Sequence, residues 1–103
     1  MFSNKHEFVE TLYDQFRVSE KWRKTNAKRY TQDPRNAEAA KRLGELKSQI
    51  VITDEVWERF RPLVSGPTCL EDISVTNREV GFKKQPADFA DWLEHLHINL
   101  MRG

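Results

Sequence analysis

Five apolar residues near the end of the chain recur once per helical turn, and they constrain the fold more than any other feature. Phe89, Trp92, Leu93, Leu96 and Leu100 stand at i, i+3, i+4, i+7 and i+11, one face of a helix with 3.6 residues per turn. Asp88, Asp91 and Glu94 fall mostly off that stripe, and the two aspartates suit the positive end of the helix dipole. Pro86 fits the first turn, where its missing N–H would have had no partner. A strand would need alternation, which is absent here. The spacing therefore predicts a helix over 86–101 with a buried face.

The same logic extends backwards. Asn4 can cap a first helix, with Glu7 placed to close a capping box, and Phe8, Leu12 and Phe16 continue at i, i+4 and i+8. No Gly or Pro interrupts residues 1–33, so a helix over 4–17 can run on towards Tyr30. Asp33-Pro34 stops it and caps a second helix over 35–49, whose apolar face (Ala39, Ala40, Leu43, Leu46 and Ile50) is thin enough for close approach of a neighbour. Ile50-Val51-Ile52 reads as a buried connector. Thr53 caps a helix over 54–64, bent or ended by Pro62, and Thr68 caps another over 69–80 that stops near Gly81. The expectation is an all-α bundle of four or five helices, with residues 1–103 forming one domain. Sequential helices should be neighbours, and the first and last, with the heaviest apolar faces, should pack together.

Charge is nearly balanced overall, at +1, which argues against a strongly basic nucleic-acid binder. It is unevenly spread: residues 1–52 carry 11 Lys/Arg against 7 Asp/Glu, and residues 53–103 carry 6 against 9. A single cysteine excludes an internal disulfide, and no apolar window reaches membrane-span length. A cytoplasmic protein with no membrane contact is expected.

The densest chemical signal is Lys21-Trp22-Arg23-Lys24-Thr25-Asn26-Ala27-Lys28-Arg29-Tyr30, five bases around two aromatics. Trp, Tyr and Arg are the usual interface anchors, while the same mixture can neutralise phosphates and stack a base. Trp22, Arg23, Lys24, Lys28, Arg29 and Tyr30 are accordingly the candidate partner-binding residues, bases steering and rings anchoring. Eleven aromatics in 103 residues are more than a core this small need bury. The function expected is that of a small interaction or regulatory protein docking on another protein, alone or as a homodimer, with a nucleic-acid binder as the alternative.

Catalysis and metal binding find no complete set. Glu94 and His97 make one E-x-x-H pair where a helical di-iron site needs two, and His95 and His97 point to nearly opposite helix faces. Cys69 follows a helix cap that could lower a thiol pKa, yet no base can be assigned to it. Ala40, Gly44 and Ile50 have the spacing of a helix-turn-helix, but Glu45 stands where an apolar residue belongs and Asp54-Glu55 would repel phosphate. Four scattered glycines form no phosphate-cradling loop. No enzyme activity, metal or cofactor is expected.

Overall fold

The computed structural model describes residues 2–102. Five helices follow one another: α1 (Lys5–Arg29), α2 (Arg35–Ser48), α3 (Asp54–Phe60), α4 (Cys69–Glu79) and α5 (Phe89–Arg102). The described residues contain no strand; Val80 and Lys84 make one isolated bridge. No helix is long and apolar enough to cross a membrane.

Local chemistry accounts for most helix ends. The Asn4 side chain accepts the Glu7 N–H at 2.9 Å, and Glu7 reaches back to the Ser3 N–H and hydroxyl. Those bonds hold the Glu7 carboxyl below its ordinary pKa. Thr53 accepts from Val56 N–H, and Asp33 accepts from Arg35 N–H. Thr68 precedes α4 without a side-chain cap bond. At α5 the chain departs from expectation, because Pro86 lies three residues before the helix. Asp88 is the cap instead: its carboxylate takes the Asp91 N–H at 2.8 Å, while Asp91 takes the Ala87 N–H at 2.9 Å. α3 also ends early, at Phe60 rather than 64, two residues before Pro62.

α1 spans 25 residues, about 37 Å at 1.5 Å per residue, and sets the molecule's 43 Å long axis. It lies beside α2 and α4, and α5 also lies beside α2 and α4. The order around the bundle is thus α1, α2, α5, α4. The first and last helices pack together through the core, as their apolar faces predict. They face each other across the core, where Phe16 meets Trp92 with ring centroids 4.7 Å apart. Gly44 lets α1 and α2 approach: a Cβ there would stand 2.9 Å from the Glu20 carboxylate. α2 continues unbroken through Gly44, so a helix-turn-helix is not formed.

The core is rich in rings. Phe8 packs on Trp57 and Phe60, and Phe89 stacks on Trp92 at 5.6 Å. Ile50 and Ile52 are buried, while Val51 between them is 68 % exposed. α3 is tied on at both ends, by Lys5 to Asp54 at 2.8 Å and by Arg59 to both oxygens of Glu94 at 2.8 and 3.0 Å.

Candidate functional site

The inward face of α1 changes chemistry halfway along. Phe8, Leu12 and Phe16 are fully buried, but the next inward positions are Ser19, Glu20 and Arg23. Ring packing ends there and polar packing begins. Glu20 holds α2 through Lys47 Nζ at 2.7 Å and also meets Lys24 at 3.3 Å. Burial works to raise the Glu20 pKa, yet the hydrogen bonds from the two lysines outweigh it and the net shift is downward.

Arg23 is the largest departure from the sequence reading. It is only 7 % exposed, so it is no steering charge on a free surface. Nη1 donates to Asn36 Oδ1 at 3.1 Å, and Nη2 donates to the Arg78 carbonyl at 2.6 Å. That carbonyl belongs to the last turn of α4, where the backbone leaves acceptors unpaired and the dipole favours a cation. Nε has no hydrogen-bond partner, and Arg23 makes no ion pair among the described residues. Burial pulls its pKa down, though a guanidinium stays protonated.

Two rings take the place of a counter-ion. The guanidinium carbon lies 4.5 Å from the Trp22 ring centroid and 4.1 Å from that of Phe82, and Arg35 lies 5.0 Å from the same Phe82 ring. Trp22, Arg23, Phe82 and Arg35 therefore alternate ring and cation. Arg35 is held in turn by Asp33, whose pKa is lowered to about 2 by the Arg35 hydrogen bonds. Phe82 is set in place by Gly81, which has φ of 81° and presses on α2: a Cβ there would be 2.8 Å from the Ala39 Cβ. Only glycine meets both demands.

Trp22 is 47 % exposed. It borders a shallow groove between α1 and α4, about 360 Å³, with Val18, Ser74 and Arg78. A second depression of about 350 Å³ shares Arg78 and contains Arg23, Phe82, Glu79 and Lys83. Together they make a groove that is apolar at Val18 and Trp22 and cationic towards Lys83.

The expected patch is thus divided. Trp22 faces the α4 side, and Lys24 pairs with Glu20 on the α2 side. Tyr30, 55 % exposed, and Arg29 border a separate depression at the α1–α2 turn, with Asp33 and Asn36. Lys21, Lys28 and Arg29 are exposed and make no ion pair among the described residues. Val18, Ser74, Arg78 and Phe82 were not singled out from the sequence. One cue to Arg23 was available: continuing the 8-12-16 spacing by seven residues reaches 23, not 22.

Other candidates lie elsewhere. Cys69 opens α4 but is buried, and burial drives its thiol pKa upward, more than the helix end can offset. Glu94 is occupied by Arg59, and His97 packs edge-on to Phe60 at 5.9 Å. No three His, Cys, Asp or Glu side chains gather as a metal site among the described residues. Comparison with protein-family models, curated proteins and solved structures gives no match for this chain.

Proposed function

We propose that this chain is a small interaction or regulatory protein that docks on another protein through the α1–α4 groove, with Trp22 as the anchor. The observation that carries the reading is the state of Trp22. Its indole stands half out of the surface while the Arg23 guanidinium fixes one side of it. A pre-positioned ring loses little freedom on binding, and large rings are the side chains on which interface energy concentrates. Lys21, Lys28 and Arg29 supply an unneutralised positive field that speeds encounter. A compartment inside the cell suits a chain with one buried cysteine.

Lys21, Lys28 and Arg29 also favour a second reading, in which single-stranded nucleic acid stacks a base on Trp22. Site-specific photo-crosslinking separates the two. With a photo-reactive residue at position 22, the expected product is a defined protein adduct, absent when the same residue is placed at exposed Val51 in the α2–α3 connector. Nucleic acid in the adduct, or equal products from both positions, would overturn the docking reading.

A further inference from the structure

A buried cation is ordinarily matched by a carboxylate, because the dipoles around it recover only part of its lost hydration. Arg23 has no such match. The end of α4 offers a partial negative charge of about half a unit, and the two rings add their quadrupoles. Around it the groove carries Arg78 and Lys83, neither ion-paired among the described residues, and one acid, Glu79. One Glu79 oxygen accepts from Asn99 Nδ2 at 3.0 Å. Three cations thus line the depression with a single carboxylate. Val18 and Trp22 lie immediately beyond, across the shared Arg78.

We infer that the groove receives an acidic peptide segment of a partner protein: a carboxylate seated among Arg78, Lys83 and Arg23, and an adjacent apolar side chain laid on Val18 and Trp22. Charge complementarity selects the occupant. A purely apolar helix would leave the cations unpaired, and a basic one would be repelled. A carboxylate also has the planar, two-oxygen shape that a guanidinium fork accepts.

The inference rests on the docking reading, and its test keeps the two apart. Random twelve-residue peptides displayed on phage are selected against the intact chain, and synthetic versions are titrated by tryptophan emission. Trp57 and Trp92 are buried, so the emission change reports on Trp22. Enriched peptides should carry Asp or Glu beside a large apolar residue. Exchanging that acid for its amide should weaken binding about tenfold or more, as should Arg78→Glu, and a Lys-bearing peptide should recover affinity for that variant. Arg78 is exposed, so the fold should persist; Lys83→Glu is the second variant. Peptides that shift Trp22 emission but lack acids, or that ignore both charge reversals, overturn the acidic occupant and leave docking standing. Selection of no peptide that perturbs Trp22 removes both. A single-stranded oligonucleotide displacing the peptide, with a steeper salt slope than the peptide itself shows, also overturns the inference.

Discussion

The two halves of α1 solve the same packing problem with opposite chemistry. Near its start, Phe8 lies against Trp57 and Phe60, and Phe16 lies against Trp92. Near its end, Trp22 and Phe82 lie against guanidiniums. Ring on ring excludes water and converts area into stability. Ring on cation holds a buried charge in place and costs desolvation, which a folding core alone would not select. The contrast teaches that one end of the molecule is held by ring packing while the other leaves an indole half-exposed beside a cation.

Substitutions can break that contrast, the largest effects falling at the first half. Phe8→Ala should cost about 3–5 kcal/mol in denaturant unfolding, because the ring is fully buried and its site can collapse only partly. An effect under about 1 kcal/mol would mean that the first half is not the stabilising end. Arg23→Glu should cost about 3 kcal/mol, since a carboxylate would be buried against the Arg78 carbonyl. Charge reversal at position 23 is therefore not a surface change, although the sequence placed Arg23 among the steering bases. Gly81→Ala should cost about 2 kcal/mol through its left-handed backbone and the clash with Ala39, and displacing Phe82 should weaken binding as well. Trp22→Ala should change stability by under about 1 kcal/mol while abolishing peptide-induced emission changes.

The smallest expected effect sharpens the comparison through pH. The Glu20 pKa is lowered below its ordinary 4.5 in the folded chain. Its contribution is therefore present above that value and lost as pH falls through the lower folded value. Glu20→Gln should flatten the acid limb of the midpoint–pH curve in that window and leave the neutral region's slope unchanged. An identical acid limb in the variant would show that the Lys47 and Lys24 contacts do not couple to folding.

Much of the fold was legible because it is written locally. The 8-12-16 and 89-92-93-96-100 stripes, the Asn4 and Thr53 caps and the Asp33-Pro34 break each act within a turn or two of helix. What failed was non-local or a choice between local options. Pro86 and Asp88 are both competent helix starters, and the reciprocal Asp88–Asp91 bonds decide between them. The order around the bundle, α1, α2, α5, α4, depends on which apolar faces meet, and no single helix's spacing states it. The candidate site was half legible: the stripe spacing leaves Trp22 outside the core, where it is half-exposed, but composition alone cannot tell Arg23 from its basic neighbours. Phe82 joins it from 59 residues away along the chain, a contact no sequence window contains.

The most direct measurement is collisional quenching of tryptophan emission by iodide and by caesium, in the wild type and in Trp22→Phe. One open indole among unneutralised cations should be quenched more strongly by the anion than by the cation, and Trp22→Phe should remove most of that quenching. Equal quenching by both ions, or quenching that survives in Trp22→Phe, would contradict a cationic groove built around Trp22.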